Sequence, residues 1–147
     1  MKRLMVCAVT ALSAAVPAAP AAQASATCGQ PPGRHTVPVT FQGRQYPVDV
    51  HVPAGVRPGT RLPAVLNLHG TQSTGAGQLE YSNMRPADHL VLAPTGVIPA
   101  GSGYGWNVPG AGTPPAGARD DVAFLEQVIA TAVTSLCADP ATPAAAA

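Results

Sequence analysis

The sequence predicts an α/β domain, and two patterns support this prediction. Two alternating apolar and polar segments flank Gln42-Gly43, an arrangement that is typical of a β-hairpin. Two short apolar runs, at 64–68 and 90–94, flank a stretch that can form a helix, as in a βαβ unit with parallel strands and a right-handed crossover. We therefore expect a sheet in which a β-hairpin stands beside two parallel strands with flanking helices.

The hairpin is expected from the alternation in 36–41 and 46–52. Pro38 and Pro47 lack the N–H group that a ladder hydrogen bond needs, so these strands are expected at a sheet edge. The segment 53–63, which begins and ends with proline, is expected to be a surface loop.

The central part of the chain predicts the βαβ unit. The run 64–68 is bounded by Pro63 and by His-Gly, and its length favours a buried strand over a helix. A short helix is expected at 78–84 and a second buried strand at 90–94. The segment 95–117 is dense in Gly and Pro and predicts a long loop, which in a folded domain usually serves a site.

A longer helix is expected to begin at Asp120 and Asp121, where a helix N-terminus favours acidic side chains. N-capping accounts for this acidic pair without any catalytic role. The apolar side chains that follow recur at three and four residues and form one stripe: Val122, Leu125, Val128, Ile129, Ala132, Val133 and Leu136. Asp139-Pro140 is expected to end the helix. The segment 141–147 is predicted to be a low-complexity Ala/Pro tail, because it has no pattern that would place it in the hydrophobic core.

The first residues predict a signal peptide. Lys2 and Arg3 precede an apolar stretch at 4–16 that is too short to span a membrane, and Ala24-Ser25-Ala26 matches a cleavage site. We therefore expect cleavage after Ala26, a secreted protein without a membrane anchor, a partial domain at 27–140 and a tail at 141–147.

Composition excludes some functions. The formal net charge is +1 and only 10% of the residues are charged, so no basic patch indicates nucleic-acid binding. After removal of the signal peptide two cysteines remain, Cys28 and Cys137, and an even count in an exported protein favours one disulfide over two unpaired thiols. His35, His51 and His89 are too widely spaced for a metal motif such as H-E-x-x-H, so no metal site is expected.

A set of short motifs resembles, in its order along the chain, the secreted polyhydroxybutyrate depolymerases and the related feruloyl and acetylxylan esterases. The set covers the chain from Cys28 to Pro140. Its members are Arg44-Gln45-Tyr46, His51-Val52-Pro53, Leu68-His69-Gly70, Ala87-Asp88, Val91-Leu92-Ala93-Pro94, Gly105-Trp106-Asn107, Asp120-Asp121-Val122-Ala123-Phe124-Leu125 and Cys137-Ala138-Asp139-Pro140.

The resemblance implies the N-terminal part of an α/β-hydrolase sheet and a carboxylic-ester hydrolase. Such an enzyme uses a Ser-His-Asp triad and an acyl-enzyme intermediate, needs no cofactor, and acts on esters, polyesters or esterified plant polysaccharides. By the same resemblance the backbone N–H of Thr71 is one of two oxyanion donors. His69 precedes the place of the nucleophile, which rules it out as the general base of this triad, so a structural role at the strand end is expected.

The resemblance stops before the nucleophile. These 147 residues contain no G-x-S-x-G, so the predicted sheet is truncated before the nucleophile elbow. Where the family continues from Asp-Pro into Arg-Val and a strand, this chain has Ala141-Thr142. Each of the four serines Ser73, Ser82, Ser102 and Ser135 lacks the pair of glycines, one two residues before it and one two residues after it, that the elbow requires. No counterpart of the triad Asp and His follows, so no catalytic residue is assigned. Without the fifth strand of the family's 1-2-4-3-5 order, the apolar strand at 64–68 is expected to have an open, aggregation-prone edge.

Alternative interpretations stay open at this point. Trp106 and Asn107 are candidates for substrate binding, although Trp106 could instead fix the long loop to the core. The protein could be a secreted, non-catalytic, polymer-binding protein on the same scaffold. It could also be the product of a frameshifted gene, since a shifted frame through GC-rich DNA encodes Ala/Pro tails of this kind.

Overall fold

The computed structural model describes residues 29–57, 59–142 and 145–146, the last two by their backbone. The predicted signal peptide at 1–26, its cleavage site and Cys28 lie outside these residues. In the described ranges no helix combines the length and the apolar character that a membrane span requires.

The predicted hairpin is confirmed. Strand β1 (Gly33–Phe41) pairs antiparallel with β2 (Arg44–Val52), and Phe41 stands opposite Arg44. The two linking residues, Gln42 and Gly43, have φ values of 49° and 74°. Positive φ at both central residues defines a type I′ turn, whose twist matches that of the flanking strands.

The predicted βαβ unit is also confirmed, and it joins the hairpin in one mixed sheet. Strand β3 (Ala64–Leu66) runs parallel to β4 (Leu90–Pro94), and β4 pairs antiparallel with β2. Helix α1 (Gly75–Ser82) connects β3 to β4, and helix α2 (Asp121–Ser135) follows further along the chain. The chain thus has an α/β arrangement, with a parallel pair, an antiparallel hairpin and two helices.

The prediction that both hairpin strands lie at a sheet edge is correct for β1 and wrong for β2, which lies between β1 and β4. The proline in β2 is tolerated because of its register. Pro47 stands opposite Pro38, and the ladder between β2 and β4 begins only at Val48. The missing N–H groups therefore fall where no ladder hydrogen bond is required.

The edge of β3 differs from the expectation. A two-residue strand, β7 (Ala145–Ala146), pairs in parallel with Val65 and Leu66, so the sheet order is β1-β2-β4-β3-β7. The sequence at 141–147 shows no alternation that could predict a strand. Backbone pairing uses N–H and C=O groups that every alanine carries, and it therefore needs no side-chain pattern.

The two helices cover opposite faces of the sheet. Leu90 and Leu92 of β4 pack in the same cluster as Phe124 and Val128 of α2. The alternate residues Val91 and Ala93 pack with Leu79 of α1 on the other face. Because successive side chains of a strand point to opposite faces, this two-sided cover explains why all of β4 is apolar and buried.

Helix α1 begins three residues before the predicted start because of a cap that the periodicity does not show. The Thr74 Oγ1 accepts a hydrogen bond from the Gly77 N–H at 3.0 Å, and Asn83 ends the helix in the left-handed region at φ 47°. A Cβ on Gly75 would lie 1.9 Å from the carbonyl oxygen of Ala93. Glycine at this position lets α1 approach the backbone of β4.

Helix α2 begins as predicted, with Asp120 as its N-cap accepting from the Ala123 N–H at 3.1 Å. It ends at Ser135, before the predicted stop at Asp139-Pro140, because Cys137 adopts a left-handed backbone at φ 61°.

The segment predicted as a long loop at 95–117 contains a small hairpin of its own. Strand β5 (Ile98–Ala100) pairs antiparallel with β6 (Gly103–Gly105). Strands of three residues are too short to show a reliable alternation, so the sequence did not predict them. This hairpin shapes the region beyond the carboxyl ends of β3 and β4.

Candidate functional site at the carboxyl ends of β3 and β4

The candidate site lies where the two parallel strands end. His69-Gly70-Thr71 follows β3, and Thr95-Gly96 follows β4. Carboxyl ends of neighbouring parallel strands meet at one edge of a sheet, which is where α/β proteins bind their ligands. The hairpin of β5 and β6 and the segment before α2 bring further side chains to this edge.

His69 is buried, with 3% of its surface exposed, and both ring nitrogens are engaged. The Gly96 N–H donates to Nε2 at 3.0 Å, so Nε2 is the unprotonated nitrogen and Nδ1–H donates to the Gly70 carbonyl at 2.7 Å. Neither nitrogen is left for proton transfer. This arrangement agrees with the predicted structural role. It also joins the loop that follows β3 to the loop that follows β4 through a hydrogen bond.

Trp106 also holds His69 in place. Its ring stacks on the imidazole of His69 with a centroid distance of 4.6 Å, and its Nε1–H donates to the His69 carbonyl at 2.8 Å. The Asn107 N–H donates to Asp121 Oδ2 at 2.7 Å, and its Nδ2 donates to the Arg119 carbonyl at 2.8 Å. The indole N–H of Trp106 and the side-chain amide nitrogen of Asn107 therefore both donate within the chain. This favours a loop-anchoring role, and their role in substrate binding stays a prediction.

Thr71 is exposed at the turn after β3, and its N–H has no hydrogen-bond partner among the described residues. The backbone on either side is fixed. The Gln72 N–H donates to the Tyr104 carbonyl at 2.9 Å, and the Tyr104 N–H donates to the Ser73 carbonyl at the same distance. The geometry thus offers one free backbone donor on a loop that is held from both sides.

The approach of β6 to this loop requires a glycine. A Cβ on Gly103 would lie 2.6 Å from the carbonyl carbon of Gln72, closer than real Cβ contacts allow. Glycine here lets two backbones meet, and the same contact sets the position of Thr71 relative to Tyr104.

The buried side-chain amide of Asn67, directly after β3, connects this strand end to α1. Asn67 is 1% exposed; its Nδ2 donates to Ser82 Oγ at 2.9 Å, and its Oδ1 accepts from Gln78 Nε2 at 2.9 Å. A buried amide with both ends satisfied fixes one arrangement of helix and strand. Sequence reasoning missed it, because nothing in the local pattern distinguishes Asn67 from an exposed asparagine.

Arg119 and Asp121 form a buried ion pair, and both residues accept hydrogen bonds from Asn107. The Arg119 Nε donates to Asp121 Oδ1 at 2.7 Å, Nη2 lies 2.6 Å from the same oxygen, and Nη2 also donates to the Thr95 carbonyl at 2.8 Å. Arg119 and Asp121 are 5% and 0% exposed. The interpretation of both acidic residues as N-caps is therefore correct for Asp120 and incomplete for Asp121, whose carboxylate joins α2 to the two loops.

Two aromatic rings surround the guanidinium of Arg119. Its Cζ lies 3.5 Å from the ring centroid of Phe124 and 4.4 Å from that of Tyr46. Burial lowers the pKa of Arg119, while the hydrogen bond and charge of Asp121 act in the opposite direction. No local signal could have identified this cluster, because its members come from β2, from the segment before α2 and from α2 itself.

Within the described ranges, no three His, Cys, Asp or Glu side chains come together as metal ligands. That His35, His51 and His89 hold no metal stays a prediction. His35 Nε2 contacts the Pro31 carbonyl at 2.7 Å, and His89 Nδ1 contacts its neighbour Asp88 at 2.7 Å. Burial, and then the charge of Arg85, lower the pKa of His51.

Cys137 is buried and lies close to Gly29, the first residue that the structure describes. The Gly29 N–H donates to the Ser135 carbonyl at 3.0 Å, and a Cβ on Gly29 would lie 3.5 Å from Cys137 Sγ. Cys28 precedes Gly29 and lies outside the described residues. The proximity supports the predicted Cys28–Cys137 disulfide, which stays a prediction.

Comparison of the chain with protein-family models, with curated proteins and with solved structures gives no match. The functional proposal consequently rests on the sequence motifs and on the geometry of this site.

Proposed function

We propose that these residues form the front part of a secreted carboxylic-ester hydrolase site of the polyhydroxybutyrate depolymerase and feruloyl esterase type. In this proposal the Thr71 N–H is one of the two donors that stabilise the oxyanion of the tetrahedral intermediate. The observation that carries the proposal is the free N–H of Thr71 on a loop fixed by His69, Trp106 and Tyr104. A donor that is held in place before the reaction needs no reorganisation when charge develops.

The sheet supports the same proposal. An α/β-hydrolase sheet begins with the strand order 1-2-4-3-5, in which an antiparallel hairpin precedes the parallel strands. The order here is β1-β2-β4-β3, with β7 on the far side of β3. The turn that carries Thr71 follows β3, as the oxyanion loop does in that fold.

The chemistry requires a nucleophile that these 147 residues do not contain. In the proposed reaction a serine activated by histidine attacks the ester carbonyl, an alcohol leaves, and water then releases the acid from the acyl-enzyme. No G-x-S-x-G is present, so the serine and the second oxyanion donor must come from a segment outside these residues. These residues alone are therefore expected not to turn over a short-chain nitrophenyl ester.

A complementation assay tests the proposal. The protein is combined with a separately produced segment that carries a G-x-S-x-G elbow and the triad Asp and His from an esterase of this type, and nitrophenyl ester turnover is measured. We expect turnover only when both parts are present. Turnover by the protein alone, lost on substitution of a single residue, would contradict the proposal.

The Thr71 donor is tested in the same assay with two variants. Thr71→Pro removes the backbone N–H, and we expect kcat to fall by about a hundredfold to a thousandfold. Thr71→Val keeps the N–H and is the matched control, with kcat close to that of the unchanged protein. Equal activity of the two variants, with equal thermal stability, would exclude Thr71 as an oxyanion donor.

Polymer binding without catalysis is a second candidate function. The exposure of Tyr104 makes this residue, rather than Trp106, the candidate contact with the polymer. Tyr104 on β6 keeps 41% of its surface exposed, whereas Trp106 is stacked on His69. Retention on insoluble polyester or xylan that is lost in Tyr104→Ala would support this function. No retention of the unchanged protein would exclude it.

A further inference from the structure

A cavity of about 780 Å³ lies beyond the carboxyl end of β4, between the turn of the β1–β2 hairpin and the segment before α2. Its volume is within the range of sites that bind small molecules. Much of the lining is apolar and includes Pro47, Val97, Ile98 and Pro99. Such walls favour a ligand with an apolar body.

The charged groups of this cavity all have one sign. Arg44 and Arg119 line it, and its lining contains no Asp or Glu side chain. Arg44 is exposed and forms no ion pair with any residue in the described ranges. Both guanidinium groups lie against the ring of Tyr46, with Cζ to centroid distances of 5.8 Å for Arg44 and 4.4 Å for Arg119. The charge of the cavity lining is therefore cationic.

The Nη1–H groups of Arg119 are not used by other residues that the structure describes. Its Nε and Nη2 are used by Asp121 and Thr95, whereas Nη1 has no hydrogen-bond partner in the described part of the chain. No fully buried side-chain nitrogen of the described residues lacks a partner, so Nη1 keeps accessible surface. Because Arg119 lines the cavity, these unused Nη1–H groups are its candidate donors to a ligand there.

We propose that this cavity binds a small organic carboxylate with a flat, apolar body. The Nη1–H groups of Arg119 and the guanidinium of Arg44 hold the carboxylate, and the walls formed by Ile98 and Pro99 contact the body. A carboxylate suits this lining because its two oxygens accept from guanidinium N–H groups, while the apolar side chains contact the body of the ligand. The inference does not depend on ester hydrolysis, since it needs neither a nucleophile nor the Thr71 donor.

The test uses 2-naphthoate as the probe and the neutral 2-naphthamide as its uncharged counterpart, with binding followed by calorimetry. We expect saturable binding of 2-naphthoate and weaker binding of 2-naphthamide. Arg44→Gln should weaken 2-naphthoate by about fivefold, as for an exposed ion pair, and leave 2-naphthamide unchanged. Ala116→Trp, which places a large ring at the exposed rim of the cavity, should abolish binding of both probes.

Arg57→Gln is the matched control, because Arg57 lines a separate cavity of about 390 Å³ beside Leu62 and Leu90. It should bind 2-naphthoate as the unchanged protein does. Absence of saturable 2-naphthoate binding would overturn the inference. Equal affinity for the two probes would do the same, as would a loss in Arg57→Gln that Arg44→Gln does not show.

Discussion

The indole N–H of Trp106 donates to the backbone carbonyl of His69 at 2.8 Å, and the indole ring stacks on the imidazole of the same residue. This double contact joins the segment after β6 to the turn after β3. His69 in turn accepts from the Gly96 N–H, so three chain segments meet at one buried ring. The position of Thr71, two residues further on, follows from this junction.

Substitution of Trp106 separates its two contacts. Trp106→Phe keeps an aromatic ring for His69 but removes the donor to its carbonyl, and we expect a loss of about 0.5–1.5 kcal/mol in the free energy of unfolding. Trp106→Ala also removes the ring and should cost about 3–5 kcal/mol if the space stays unfilled. Urea unfolding of the three proteins measures both values, and an equal loss in the two variants would show that the ring contributes nothing.

The two acidic residues at the start of α2 are predicted to differ sharply. Asp121→Asn leaves the buried guanidinium of Arg119 without its counter-charge and should cost about 3–5 kcal/mol. Asp120→Asn is the matched control, because asparagine caps a helix as well as aspartate does and this position is exposed. Similar denaturation midpoints for the two variants would contradict the ion pair as an element of stability.

Two glycine positions give an independent test of the packing. Gly75→Ala places a Cβ 1.9 Å from the Ala93 carbonyl oxygen, so α1 must move away from β4, and we expect a clear drop in Tm. At Gly70 a Cβ meets nothing within 4 Å and φ is not positive, so Gly70→Ala should leave Tm almost unchanged. Thermal unfolding followed by circular dichroism distinguishes them, and equal melting temperatures would refute the close approach of α1.

The strand β7 is predicted to protect the edge of β3. Removal of residues 143–147 leaves the N–H and C=O groups of Val65 and Leu66 unpaired on that side, and an open apolar edge promotes association. We expect the shortened protein to form oligomers in analytical ultracentrifugation at concentrations at which the full chain sediments as one smaller species. Identical sedimentation of the two proteins would show that the edge needs no cover.

Stability is predicted to fall in mild acid because of His51. The pKa of His51 is lowered in the folded state by burial and by Arg85, from an ordinary value of about 6.5. The unfolded chain then binds a proton more readily as pH falls through that ordinary value, so the folded state loses stability below it and regains it above. His51→Gln should flatten this part of the curve of unfolding free energy against pH, and an unchanged slope would exclude His51 as its source.

Much of the fold could be predicted from the sequence, because local patterns determine the hairpin, the βαβ unit and the start of α2. The Gln42-Gly43 turn, the apolar run of β4 and the Asp120 cap each act within a few residues. What could not be predicted depends on contacts between distant segments. The pairing of β7 with β3 uses backbone groups alone, and the pair of Arg119 with Asp121 has the appearance of ordinary helix capping.

The candidate site was predictable only in part for the same reason. The motif at His69-Gly70-Thr71 is local, so the sequence alone predicts it. The anchoring of this motif depends on Gly96 and Trp106, which lie 27 and 37 residues further along the chain. The cationic cavity between Arg44 and Arg119 likewise forms only when β2 and the segment before α2 come together.

The most direct test of the central claim is the sequence of the encoding DNA beyond codon 140, read in all three frames. The claim that these residues form the front part of an ester-hydrolase site predicts Arg-Val followed by a strand and G-x-S-x-G in one of those frames. A verified sequence with no such elbow in any frame would contradict it.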